Sequence, residues 1–184
     1  FPAYLYFFVV CHVWCAPFQV MAKGNISKPC ATECGMRLAK TRNANRARRL
    51  KNTRGESMKI CVCVKIIHDE NEISTNADRT IDDSVAAYVI SPYDCNAIAA
   101  AMNLAAGQEG AEVVVLTAGG GRVENSKMKK GILSRGPSCM YAVKCGVLDV
   151  ADSLEIARAL KYGVESIGGV DLVICGEGSG DMYN

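Results

Sequence analysis

From Lys59 onward the chain alternates short, dense apolar runs with longer stretches in which apolar residues return every three or four positions. The run "KICVCVKII" (residues 59–67) is continuous and rich in Val and Ile, which predicts a strand covered on both faces of a parallel sheet. A polar excursion over residues 68–84 follows, with Asn71, Asn76, Asp78, Asp82 and Asp83, and reads as a long loop. "ISPYDCNAIAAAMNLAAG" then switches to helical spacing. Ser91 is placed as an N-cap, Pro92 suits the first helical position, and Asp94 stands three residues after the cap, as in a capping box. Cys95, Ile98, Ala99, Met102 and Ala106 form the expected buried face and Gly107 the stop. In "AEVVVLTAGGG", residues 113–117 predict a second buried strand, and glycines 119–121 a turn into "RVENSKMKKGILSRGP", a basic amphipathic helix closed by Gly136 and Pro137. "SCMYAVKC" is a third, shorter strand. "DVADSLEIARALKYGVESIGG" is a helix with Leu154, Ala157, Leu160, Val164 and Ile167 on one face, and "VDLVICG" is a fourth strand.

This alternation predicts an α/β domain: three layers, α/β/α, around a mostly parallel, Rossmann-like sheet with right-handed crossovers. Ligands of such sheets bind beyond the carboxyl ends of the strands. The stretches to inspect are therefore residues 64–67, 117–121 and 176–184, together with the capped start of the first helix.

Charge divides the chain in two. Residues 1–57 hold ten Lys/Arg against Glu33 and Glu56, whereas residues 58–184 hold eleven against seventeen acids, within an overall net charge of +2. A break of that size beside Met58 points to two segments of different origin. The first opens with "FPAYLYFFVVCHVWCAPFQVMA", apolar for about the length of a membrane span, and continues into "RLAKTRNANRARRLKNTR". No charged region precedes the apolar stretch, and Pro2 and Pro17 sit near its ends, so it does not read as a signal peptide, and no membrane insertion is expected. The basic run lacks aromatic residues for base stacking, and no nucleic-acid partner is expected. Residues 1–57 are read as upstream sequence joined to a gene that starts at Met58.

The ten cysteines do not form a recognisable framework. Cys61 and Cys63 lie on one face of a strand, where they cannot easily bridge each other. Cys95, Cys139, Cys145 and Cys175 occupy apolar surroundings, as free thiols do. Cys30 and Cys34 lack a second pair and a nearby histidine, so zinc is not expected. The expectation is a reduced, cytoplasmic interior.

For chemistry, the backbone N–H groups of glycines 119–121 could receive a phosphate, although a tight turn without ligand is the more common meaning of glycine there. In the last ten residues, "CGEGSGDMYN", Gly176, Gly178 and Gly180 free the backbone to curl around a ligand. Ser179 offers a hydroxyl, and Asp181 could accept from a ribose hydroxyl or cap a following helix. Both the ligand loop and the plain strand-to-helix turn remain open here. His68 has no partner at a telling spacing, Asp69 and Glu70 read as solvated, and Lys127, Lys129 and Lys130 as a solvated helix face. No nucleophile with its base is visible, so the chain is not read as an enzyme.

In their order, "MKICVCVK", "ISPYDCNAIAAA", "VVVLTAGG", "NSKMKKGILSRGP" and "DLVICGEGSGDMYN" resemble the β subunit of the electron-transfer flavoproteins. The likeness is closest to the anaerobic branch associated with carnitine metabolism and the Fix proteins, and it covers residues 58–184 and none of 1–57. It implies an electron carrier without catalytic side chains. Such a subunit forms a heterodimer with an α subunit that holds the main FAD, binds AMP or a second FAD itself, and passes electrons between dehydrogenases or reductases and an acceptor. Carried over by position, the implied nucleotide contacts are Cys63, Ser91, Pro92, Tyr93, Asp94, Ala118, Gly178, Ser179, Gly180, Asp181, Met182, Tyr183 and Asn184. Two departures stand out: Ser91 where family members often have Asn, and "GEGSGD" in place of G-x-Q-x-x-D-x-D. Because the family's loop leads into a helix and further strands, the sequence is read as an N-terminal fragment, expected to bind nucleotide poorly and not to form the full heterodimer. Two rivals share the strand-helix alternation. A nucleotide-sensing module of the universal-stress-protein type needs G-x₂-G-x₉-G-[ST], and an ATP-pyrophosphatase needs S-G-G-x-D-S after its first strand; neither motif is present.

Overall fold

The computed structural model describes residues 37–42 and 57–181 of the chain. The apolar opening, the Cys30 and Cys34 pair, most of the basic run and Met182, Tyr183 and Asn184 lie outside these residues. The strands are β1 (Arg37–Arg42), β2 (Lys59–Cys63), β3 (Ile66–His68), β4 (Ser74–Thr75), β5 (Ile81–Asp82), β6 (Tyr88–Ile90), β7 (Glu112–Gly119), β8 (Cys139–Lys144) and β9 (Leu172–Ile174). The helices are α1 (Pro92–Ala106), α2 (Ser126–Leu133) and α3 (Ser153–Ile167).

The main sheet runs in the order β1-β8-β7-β2-β9, parallel throughout except for β1, which pairs antiparallel with β8. This is the expected α/β class with a mostly parallel central sheet. Helices α1 and α2 cover one face, where Ile98, Ala101, Met128 and Ile132 close over Ile60, Val62, Val113 and Val115. Helix α3 covers the other, where Ala159 and Val164 close over Cys61, Val114 and Leu116. Coverage on both sides is why β2 and β7 read as unbroken apolar runs; each buried Val, Leu or Ile contributes roughly 1.5–3 kcal/mol.

Several expectations are corrected. The run over residues 59–67 is two strands. After Cys63 the chain still reaches β7 through the Val64 N–H, which donates to the Leu116 carbonyl at 2.9 Å, but Lys65 turns its N–H to Asp94 instead (2.6 Å). The chain thereby leaves the main sheet, and β3 pairs antiparallel with β6. The polar excursion is not a structureless loop, because β4 and β5 form a small hairpin within it. His68 belongs to β3, its ring tilted against Tyr88 at 4.7 Å.

The helix from "RVENSK" starts later than expected. Gly121–Glu124 is a separate 3-10 turn, and α2 begins at Ser126, where Asn125 as N-cap accepts from the N–H groups of Lys127 (2.9 Å) and Met128 (3.2 Å). Two helix faces are also rotated. On α1 the buried line is Asp94, Ala97, Ile98, Ala101 and Ala105, with Ala99 and Ala106 exposed. On α3 it is Ala159, Gly163 and Val164, with Leu154 and Ala157 exposed. In an alanine-rich helix small apolar residues occupy every side, so periodicity alone fixes the face poorly. On α3 glycine is itself a contact residue: an added Cβ at Gly163 would meet Leu116 Cδ1 at 2.7 Å. Finally, Cys145 is disulfide-bonded, not a free thiol as expected; a disulfide partner is not deducible from sequence spacing. Cys61, Cys63, Cys95, Cys139 and Cys175 are free.

Candidate functional site at the carboxyl ends of the strands

The parallel strands β2, β7 and β9 end on one edge of the sheet, and the N-terminus of α1 meets them there. Ser91 as N-cap, Pro92 and Gly107 bound α1 as expected, but neither Ser91 nor Asp94 makes a side-chain capping bond. The Ser91 side chain makes no capping bond; it is fully buried and its Oγ has no hydrogen-bond partner. Asp94, also buried, reaches out of its helix. Its Oδ2 accepts from the Lys65 N–H at 2.6 Å, and the carboxyl accepts a second backbone bond from Gly176. It thus ties the residues just past β2 and β9 to the start of α1. Gly176 is required by this approach, since a Cβ there would stand 2.5 Å from Asp94 Oδ1. Burial pushes the Asp94 carboxyl up to about 6, the two N–H bonds and the nearby Lys65 charge recovering only part of the loss.

The Lys65 ammonium turns toward the terminal loop, donating to Ser179 Oγ at 3.2 Å and pairing with Asp181 Oδ1 at 2.9 Å. Ser179 is buried by this arrangement, Gly178 half-buried and Gly180 exposed. Asp181 is therefore engaged by a lysine of the same chain. Lys65 lay within the stretch 64–67 selected from the sequence but was not singled out, though a signal existed: it is the one charge inside an otherwise apolar run. Thr117, within the stretch 117–121, was not singled out either. It is the only hydroxyl in β7, fully buried, and its Oγ1 has no hydrogen-bond partner.

Other residues implied by the resemblance are divided between the two faces. Cys63 and Ala118, both half-buried, pack with the α3-side cluster. Tyr93 is half-buried and Pro92 exposed in the first turn of α1, on the opposite face. The neighbouring Cys175 thiol acts to lower the Cys63 pKa, but Cys61 and burial outweigh it and raise it overall. Cys175 is raised as well, first by Cys63 and then by burial.

The glycine turn after β7 does not present free N–H groups. Asp149 fills it: Gly120 N–H donates to Oδ1 (2.8 Å), Gly121 N–H to Oδ2 (3.3 Å) and Arg122 Nε to Oδ1 (2.9 Å). The carboxylate stands where a phosphate was considered. Burial acts to raise its pKa, and the donors more than reverse this, leaving it lowered.

Among the described residues no group of three or more His, Cys, Asp or Glu could hold a metal ion, and no helix is long and apolar enough to cross a membrane. The class defined is an α/β domain whose polar groups gather at the carboxyl edge of a mostly parallel sheet. The sequence profile of the Electron transfer flavoprotein domain matches residues 78–182, more than half of the chain, and the chain belongs to that family. The match covers α1, β7, β9 and the terminal loop; the family consists of electron carriers associated with flavin.

Proposed function

We propose that the chain is the β subunit of an electron transfer flavoprotein of the carnitine- and Fix-associated branch. In this reading it binds AMP or a second FAD at the carboxyl ends of β2, β7 and β9. It pairs with an FAD-carrying α subunit, and the heterodimer passes electrons from dehydrogenases or reductases to an acceptor in the cytoplasm. The observation that carries the reading is the pair of buried, unpartnered hydroxyls, Ser91 Oγ and Thr117 Oγ1, at the strand ends of a domain of this family. A buried hydroxyl without a partner costs about 1–3 kcal/mol, which a ligand's phosphate or ribose oxygens would recover.

The residues fit an adenine nucleotide in kind. Ser91 and Thr117 offer hydroxyls, Lys65 a cation, and Gly178 and Gly180 a backbone that a ligand can approach closely. Tyr93, Asp94, Cys63 and Ala118 border the same strand ends, and Met182, Tyr183 and Asn184 follow the loop. Bound FAD would supply one- and two-electron chemistry, whereas AMP would supply none. The chain's own part is to hold the nucleotide and position the site against its partner.

The test is to co-express the gene's full-length product, starting at Met58, with its α subunit, release the bound nucleotides and count them. One FAD with one AMP per complex marks a carrier with a structural β site. Two FAD and no AMP mark a β site that takes part in redox chemistry. An α subunit that co-purifies while the β chain holds no adenine nucleotide would overturn the site assignment, and failure to pair at all would overturn the subunit assignment.

A further inference from the structure

The register of β2 with β9 sets Cys61 beside Val173 and Val62 beside Ile174. Continued one residue past the last pair, where β9 has ended, the same register brings Cys63 beside Cys175. Neighbouring strands lie about 4.8 Å apart, within the Cα separation of about 4.4–6.8 Å that a disulfide spans. Each thiol shifts the other's protonation more than any other group does, so the two side chains lie close together. Both are free, Cys175 is exposed and Cys63 half-buried, so a small oxidant can reach the pair. Cys61 also touches Cys63, but it is fully buried and lies two residues away along one extended strand, an unsuitable geometry for a bridge.

We infer that Cys63 and Cys175 are a redox modification site, forming a reversible disulfide with hydrogen peroxide that staples the carboxyl end of β2 to the segment after β9. The Cys175 sulfur, deprotonated, attacks one peroxide oxygen. The O–O bond breaks, giving a sulfenic acid and a hydroxide that takes up the displaced proton as water. The Cys63 sulfur attacks the sulfenic sulfur, the S–O bond breaks, and the hydroxide leaves with the Cys63 proton as a second water. Two thiols lose two electrons and two protons, and one peroxide becomes two waters. A dithiol reductant reverses the step by exchange. Because their surroundings hold both thiols protonated, the reaction is slow at neutral pH and quickens as pH rises.

Trypsin places the partners on separate peptides, residues 60–65 and 162–184. The full chain, reduced and desalted, is treated with hydrogen peroxide, alkylated, and digested without reduction. The expected product is a peptide joining 60–65 to 162–184, two hydrogens lighter than the sum of its parts, which dithiothreitol returns to the separate peptides. Cys63 and Cys175 both become closed to alkylation, over and above the re-formed Cys145 bridge, and the chain stays monomeric on a non-reducing gel. Fragment ions place the bridge on Cys63, so the wild-type chain decides the matter even where a variant folds poorly. Cys61→Ser keeps the bridge, and Cys175→Ser abolishes it. Peroxide treatment that leaves both residues open to alkylation, oxidises them separately, bridges Cys61 instead, or links two chains would overturn the inference.

Discussion

A carboxylate that accepts two backbone N–H groups is ordinarily held charged, yet Asp94 goes the other way. Two neutral donors do not replace the water lost on burial, so its pKa rises from 3.8 to about 6. Between those values the folded chain keeps the proton and the unfolded chain releases it, so this group stabilises the fold as pH falls through that window and is unfavourable above it. Two pKa units correspond to about 3 kcal/mol. Urea unfolding of the wild type and of Asp94→Asn, at pH 7.5 and at pH 4, isolates this group. The wild type should gain on the order of 2–3 kcal/mol relative to the variant at the lower pH. A difference between the two that does not change with pH would show that the carboxyl is not desolvated in the fold. The position of Asp94 was legible three residues after a serine, but its task was not. Helix periodicity says where a side chain emerges, and only the tertiary fold brings the N–H of Lys65 to it.

At the scale of elements, the turn after β7 shows how one carboxylate joins two strand ends. Asp149 lies in the 3-10 turn after β8 and grips Gly120, Gly121 and Arg122 after β7. A Cβ at Gly120 would fall 1.9 Å from Asp149 Oδ2, so Gly120→Ala must expel the carboxylate. The expected cost is about 1–2 kcal/mol, since the carboxylate is partly exposed and water replaces part of what is lost. Asp149→Ala should cost about the same, and the double variant little more than either alone. Thermal melts that gave additive losses would show that the two residues act independently. The sequence announced a turn at these glycines but not its occupant, which lies twenty-eight residues beyond Gly121 and carries no local signal. For the same reason the strands and helices with strong apolar runs were legible and the hairpin of β4 and β5 was not. Its pairs, Ser74 with Asp82 and Thr75 with Ile81, bury no apolar face, and the turn between them is held by backbone bonds and by local side-chain bonds such as Asn76 Nδ2 to Thr80 Oγ1 at 3.0 Å.

On the scale of the molecule, the least legible strand is β1. "RLAKTR" has half its residues charged and reads as part of a basic tail, yet charges are what edge strands commonly carry, because they discourage pairing with other chains. Its hold on β8 rests on two side chains besides the ladder. Leu38 packs against the α3-side core, and the Lys40 ammonium stands 4.9 Å from the centre of the Tyr141 ring, worth about 0.5–1 kcal/mol at an exposed site. β1 thereby covers the edge of β8, whose Cys139, Met140, Tyr141, Ala142 and Val143 are all buried. Leu38→Asp removes a half-buried apolar contact and puts a charge in its place, at a cost of about 1–2 kcal/mol that falls on β1 alone. Hydrogen exchange read peptide by peptide should then show β1, and the β8 amides that face it, exchanging about tenfold faster, while β2 and β7 keep their protection. Uniform loss of protection across the sheet would mean that β1 is an integral part of the cooperative fold. No change at all would mean that backbone pairing alone keeps the edge closed.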